Sequence, residues 1–537
     1  MIVDDQTTPV PPAGGTGPVP EPAPDSLAGL PAGPAGPGHP SPADWRDEVL
    51  YSVLVDRFEA GPRPVGYGDP ADGDSRHGGN LAGITSRLDY LRDLGVTTLL
   101  LSPVTRTTPD SYHGYAPVHL LAVDPYLGSL ADLRELVGAA HRHGIRVVLD
   151  LVVNHAARIF EYEGGDDGWK GAAHPAPIGA WTTDFKPAEL AVPEHFSRRG
   201  QIADWKDPDH AALGDFPPGY RRLATENPAT RVLLLRVARW WLRETDADGV
   251  RLDAIRHLDP DFVRELTVDL KRYAATMGKH NLLVLGEYSS TADGPIVDSL
   301  ALGFDSAYNY PEYRRQSRAL HGAAPARDLA DSLATAADAF GPHLPRLVRF
   351  IDNHDVYRFL RDGEPDGRLR VALAFLMFSI GIPMLYYGTE QGFRQPTRRL
   401  ERECSADRAA PRNREDMFAA GRFVSASSAG DRFDTSSAMF RWTRRLADVR
   451  RRFVALRRGD QVVRWSDPDG PGGYVFSRRH GHEEVVVVLN TADEPRRVAL
   501  DTGGRWADVL DPGYAGPSPE VDVDAFGVRV LVRTGPR

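Results

Sequence analysis

Short apolar runs alternate with stretches of helical period along most of the chain. The runs lie at 49–58, 96–103, 145–153, 249–254, 282–286, 304–307, 347–351 and 383–387. Inside them, as in RVVLDLVV and LLVLGE, residues are apolar almost throughout instead of alternating with polar ones. That pattern suits parallel strands covered on both faces. Between the runs, 130–143 places apolar residues at helical spacing and is followed by Gly144, a stop signal. A second helix, 230–244, follows Asn227-Pro228, a cap and a first-turn proline. Eight strand-then-helix units predict an α/β fold, the (β/α)8 TIM barrel. An open doubly wound sheet competes with it, but no glycine-rich dinucleotide loop follows the first run.

The pattern breaks in four places. Between 153 and 249, the stretch 156–225 holds Gly, Pro, Asp and Trp with little periodicity. A structureless loop of that length is unusual, so a small inserted domain is expected after strand 3. The barrel then occupies 44–155 and 226–458. From 459 to 537, short β-type runs broken by Gly, Pro and Asp predict a C-terminal antiparallel β-sandwich domain. The nearly continuous apolar stretch 371–388 resembles a membrane span, but Gly381, Pro383 and Tyr386-Tyr387 interrupt it; a buried helix followed by a strand fits better. Residues 1–43, rich in Pro, Gly and Ala, read as a disordered or extended tail.

Composition narrows the function without choosing it. The chain has 537 residues, 41% hydrophobic and 26% charged, with a net charge of −10. An acidic chain is a poor nucleic-acid binder, whereas a neutral sugar polymer is indifferent to that charge. Cys404 is the single cysteine, which excludes an intrachain disulfide and a cysteine metal cluster. The N-terminus lacks the basic start and apolar stretch of a signal peptide, so a cytoplasmic location is expected. The basic stretch 444–458 is expected to be a helix with a solvated charged face, not a nucleic-acid surface.

Acids and histidines recur at the C-terminal ends of the apolar runs, the active-site face of a barrel. Asp150-Leu-Val-Val-Asn154-His155 closes the third, Arg251-Leu-Asp253-Ala-Ile-Arg256-His257 the fourth, Gly286-Glu287 the fifth and Asp352-Asn353-His354-Asp355 the seventh. Taken singly, each has a plainer reading. Asp150 caps a helix or joins an ion pair, Arg251 and Asp253 form a buried salt bridge, and His155 and His354 are core histidines. Four such ends aimed at one pocket point instead to a functional site.

The segments DLVVNH, GVRLDAIRH, LGE and FIDNHD resemble the four strand-end motifs of the α-amylase family, glycoside hydrolase family 13. GGNLAGITSRLDYLRDLGVTTLLLSPV, SYHGYAP and GIPMLYYGTE extend the resemblance over about 45–456. It implies Asp253 as nucleophile, Glu287 as general acid/base and Asp355 as the third carboxylate. It also implies that Arg251 orients the nucleophile, that His155, His354, Tyr115 and His113 contact the sugar, and that Asp150 lies among these binding groups. Arg256 stands where the family contacts the reducing-side sugar.

A structural Ca²⁺ is further implied, with Asn154, Asp204 and the His257 carbonyl as candidates and no organic cofactor. IADW replaces the family's usual Pro-Asp-Leu-Asn around Asp204. Asp69, Asp72 and Asp74 form either a second cation site or a solvated acidic turn. Trp169, Trp181, Trp205 and Tyr220 are sugar platforms or the core of the insert. The expected activity is retaining cleavage of α-glucosidic bonds, most simply α-1,4, in malto-oligosaccharides or α-glucans, with neither nucleic acid nor membrane as partner. A glucosyl-transferring or disaccharide-isomerising relative and a non-catalytic barrel remain as alternatives.

Overall fold

The computed structural model describes residues 22–61, 73–395, 413–418, 432–500, 505–517 and 520–534. Asp69, Asp72 and Cys404 lie outside them. Each predicted apolar run contains a strand: β1 Leu50–Val53, β2 Thr98–Leu101, β3 Arg146–Leu151, β4 Gly249–Leu252, β5 Leu283–Gly286, β6 Ser306–Ala307, β7 Val348–Arg349 and β8 Ile382–Tyr386. All pair in parallel, with β1 between β2 and β8 and the order continuing through β3, β4, β5 and β6. A bridge from Tyr308 to Val348, with Asn309 N donating to Val348 O at 2.9 Å, joins the last two edges and closes the barrel.

The doubly apolar strands serve two cores. Leu50, Leu100, Val148, Leu283, Val348, Ile382 and Met384 fill the barrel interior. Tyr51, Leu99, Val147, Val250, Val284 and Leu385 belong to the larger core under the helices. The helix Leu130–Arg142 starts with a capping box between Ser129 and Asp132, and Pro228–Thr245 starts at Asn227, whose side chain accepts from Ala229 N. The membrane-like stretch is the buried second half of the helix Asp366–Phe378 followed by buried β8. Among the described residues, no helix is long and apolar enough to cross a membrane.

Between β3 and β4 the chain leaves the barrel. His155–Ala156 pairs with Arg221–Arg222, and Phe160–Tyr162 with Ile178–Trp181, around buried Phe160, Tyr162, Phe185 and Phe196. At the C-terminus, β9 Asp460–Ser466, β10 Gly473–His480, β11 Glu483–Asn490, β13 Arg505–Asp508, β14 Ala515–Pro517 and β16 Val528–Arg533 form one antiparallel sheet. β12 Arg496–Ala499 and β15 Glu520–Val523 form a second. Alternation along β11 divides its side chains. Val486 and Val488 pack in the cluster shared with Val498 and Val521, whereas Val485, Val487 and Leu489 join the core continuous with the barrel.

Two expectations change. The basic helix is not simply solvated: in Ala438–Arg452, Arg450 is buried and donates to the carbonyls of Met377, Leu456, Arg46 and Gly381. Its guanidinium serves backbone oxygens at these element ends, the Leu456 carbonyl being shared with Arg478. The described part of the tail, 22–43, is not free either. Leu27 is 0% exposed, and Ser26 Oγ, Leu27 N and Ala28 N all donate to the Glu189 carboxylate of the insert. Further along, Gly38 N donates to Met277 O, the His39 ring stacks on His141, and Asn281 Nδ2 donates to Pro42 O. Backbone groups, one apolar anchor, a serine hydroxyl and a stacked histidine hold this segment, so its composition does not advertise it.

Candidate active site

Register builds the base of the site. β3 and β4 pair Asp150 with Arg251, so an acid and a base stand side by side on strands whose neighbouring residues are apolar. Arg251 Nη1 donates to both Asp150 oxygens, at 2.8 and 2.7 Å, and to Asp253 Oδ1 at 2.7 Å. Its Nη2 lies 3.7 Å from Glu287 Oε2. A single buried guanidinium thus touches three carboxylates on three successive strands. The backbone after Asp253 is sharply turned, because Ala254 has φ +51°, a left-handed conformation that costs a non-glycine residue energy. The turn aims Ala254 N at Glu287 Oε2, 3.0 Å away, and Ile255 N at Glu287 O, also 3.0 Å.

The far side of the cleft comes from the end of β7. Asp352 is consumed by structure, accepting from Thr389 Oγ1 and Phe359 N. Asn353 Oδ1 accepts from Asp355 N and Val356 N, a tight turn that projects Asp355 outward. The Asp355 side chain is 43% exposed, against 1% for Asp150. His354 Nε2 lies 3.1 Å from Asp355 Oδ2 and 2.9 Å from Tyr115 Oη, and Tyr115 Oη donates to Asp150 Oδ2 at 2.9 Å. Asp355, His354, Tyr115, Asp150, Arg251, Asp253 and Glu287 therefore form one connected polar network.

The acids in this network differ in environment. Burial pushes the Glu287 carboxyl up to about 8; the Asp253 and Asp355 carboxylates add to the shift and Arg251 opposes it. Burial also pushes Asp150 up, to about 6, against the pull of Arg251. Desolvation acts on Asp355 too, but His354, Arg414 and Arg251 outweigh it and hold that carboxyl below the usual range. The site thus pairs a carboxyl that keeps its proton near neutrality with one that stays ionised, a division suited to acid/base chemistry.

The remaining sequence candidates take mixed positions. Asp150 and Arg251 are buried and bind each other. His155 is buried; its Nε2 lies 2.8 Å from Tyr115 O, its Nδ1 3.3 Å from Asn154 Nδ2, and burial lowers its pKa. His113 accepts from Tyr115 N, and burial lowers it to about 3. Arg256 donates to Trp205 O. Trp205 and Trp181 are exposed, Trp169 stacks on His210, and Tyr220 stacks on His155.

Of the calcium candidates, Asn154 is buried with Oδ1 unpartnered, Asp204 is exposed with Oδ1 accepting from Lys206 N, and His257 O accepts from Arg222. Away from the cleft, His39, His141 and Asp248 each bring one ligand-type atom within 4.8 Å of the others. Lys279 Nζ, 2.8 Å from Asp248 Oδ1, already neutralises that carboxylate.

Arg414 was missed from sequence. It donates to His354 O and Tyr112 Oη, and Nη2 lies 3.5 Å from Asp355 Oδ1. It belongs to Asn413-Arg-Glu-Asp416, a polar run without periodicity, and only its distant partners reveal its role.

Comparisons with known proteins identify the family. Residues 68–445 match the family profile described as alpha amylase, catalytic domain. A Paenibacillus polymyxa beta/alpha-amylase is 29% identical over 84% of this chain and 34% of its own length. A Streptomyces lividans α-amylase is 28% identical over 82% and 53%. This chain therefore spans about a third and about half of those two relatives. Neopullulanase 2 of Thermoactinomyces vulgaris is 29% identical over 87% and 74%. The crystal structure of α-amylase from Geobacillus thermoleovorans complexed with acarbose superposes with a TM-score of 0.74 at 27% identity, covering 92% of this chain and 100% of that one. A family match across most of the barrel, over a fold that gathers acids at the ends of β4, β5 and β7, leads to one assignment: the chain belongs to the α-amylase family, glycoside hydrolase family 13.

Proposed function

We propose that the protein is a retaining enzyme that cleaves α-glucosidic bonds, α-1,4 bonds first, in malto-oligosaccharides or α-glucans. The observation that carries this reading is the shared grip of Arg251 on Asp253 and Glu287. It keeps two carboxyls close, as a retaining pair about 5 Å apart requires. Glu287, protonated near neutral pH, gives its proton to the departing glycosidic oxygen while Asp253 attacks the anomeric carbon. Water, or another sugar hydroxyl, then resolves the glycosyl-enzyme, with Glu287 taking the proton back. Asp355, exposed to the cleft and ionised, holds sugar hydroxyls and stabilises positive charge at the ring.

Transfer to a sugar acceptor uses the same residues. It draws support from a Klebsiella oxytoca cyclomaltodextrin glucanotransferase, 26% identical over 84% of this chain and 71% of its own length. The two readings differ in whether water is excluded when the intermediate resolves.

A time course of products from maltotriose and soluble starch tests the proposal. Turnover is expected to fall by about 10³-fold or more in Asp253→Asn. Glucose and maltose alone mark hydrolysis; longer or rearranged sugars mark transfer. Undiminished turnover in the variant, or none by the wild type on α-1,4, α-1,6 and α,α-1,1 glucosides, defeats the reading.

A further inference from the structure

The insert and the barrel meet where the loop after β3 passes the loop after β4. His155 pairs with Arg222 across a short antiparallel ladder, and Leu223 N donates to Asn154 O at 2.8 Å. The chain beyond Asp253 and Ala254 runs through Ile255–His257 and presents the His257 carbonyl to the same joint. Family likeness assigns a Ca²⁺ to this place, coordinated by oxygens of both loops.

The donor set at this joint does not suit that ion. The His257 carbonyl accepts from Arg222 Nε at 3.3 Å and from Nη2 at 3.1 Å. Arg222 Nη2 also reaches Thr225 Oγ1 at 3.2 Å, while Nη1 donates to Ser197 Oγ and, at 2.7 Å, to Glu226 Oε2. Every N–H of the guanidinium then has a partner, and the side chain is buried. Asp204, the only carboxylate among the expected ligands, is exposed and caps its own turn. Among these donors Asn154 Oδ1 is the one buried oxygen left open, and Ca²⁺ takes six to eight oxygens. A dication sharing the His257 carbonyl would also stand against a full positive charge.

We infer that Arg222 is the cation of this joint: its guanidinium ties the insert to the loop beyond the nucleophile in place of Ca²⁺, and the fold needs no calcium. A guanidinium is weakly hydrated and carries a fixed fork of donors, so it can bridge a carbonyl, two hydroxyls and a carboxylate at once. Since the bond network comes from the chain itself, the joint is independent of free calcium.

The test uses the full-length protein and thermal unfolding with EDTA, with added CaCl2 and with neither. The three Tm values are expected to agree within about 1 °C, and calorimetric titration with CaCl2 is expected to give no saturable heat. Arg222→Gln is expected to lower Tm by about 2 °C or more. Arg222→Lys, which keeps the charge but loses the fork, should fall between them. A Tm that drops in EDTA or rises with CaCl2, or stoichiometric calcium heat, overturns the inference even if the variants fail to fold. So does an Arg222→Gln protein as stable as the wild type. Because these readouts need no substrate, they stand apart from any failure of the proposed activity.

Discussion

Glu287 faces opposed demands. Its proton is useful only because burial makes its ionised form costly, so the same environment that arms it weakens the fold at alkaline pH. The sign follows from linkage. Its folded pKa, about 8, lies above the ordinary 4.5, so between these values the native carboxyl keeps a proton that the unfolded chain releases. Stability from this group is complete below 4.5 and is lost as pH rises through about 8. Glu287→Gln is therefore expected to abolish turnover yet gain Tm relative to the wild type as pH is raised across that window, with the gain levelling off above it. In the wild type, kcat/KM should decline above pH about 8. A Tm difference that is flat with pH would remove burial as the cause. The strand-end acids were legible in sequence because a charge in an apolar strand is expensive unless paired or used. Arg414 and Arg222 were not, because arginines in polar runs look the same whether solvated or buried against distant carbonyls.

Elements were legible where one pattern fixed both structure and environment. The runs at 98–101, 146–151 and 283–286 are apolar on both faces, and both faces are covered. At β6 and β7 only two residues each hold ladder geometry, and a single bridge from Tyr308 to Val348 joins them. β11 shows what a run of valines conceals. Its period of two sends Val486 to one core and Val487 to another, so neighbouring residues report on different interfaces. Val486→Ala and Val487→Ala are each expected to cost about 1–3 kcal/mol in urea unfolding, since each deletes buried methyls from a packed cluster. A loss under about 0.5 kcal/mol at Val487 would mean that the sheet does not lean on the barrel through that face.

At the scale of the whole molecule, three bodies share a few joints. Arg450 links helix to barrel floor, β11 links sheet to helices, Arg222 links insert to nucleophile loop, and 22–43 runs from insert to barrel base. Proline and glycine dominate the last, so its sequence predicts a loose tail, and composition cannot show that one leucine finds a slot. Leu27→Asp places an unpaired charge in that slot and is expected to lower Tm by about 2 °C or more and to speed proteolysis within 22–43. Unchanged cleavage would show the segment to be a passive covering.

That segment also implies an order of events during synthesis. It leaves the ribosome before the groups that receive it: Glu189, Arg236, Asp246 and Met277. It must therefore wait, unpartnered, until the insert and the first four barrel strands have been made. A stretch rich in strand-forming residues would pair with whatever emerged meanwhile; one poor in large apolar side chains, and stiffened by proline, does not. The composition that hid the segment's destination is what lets it arrive there late.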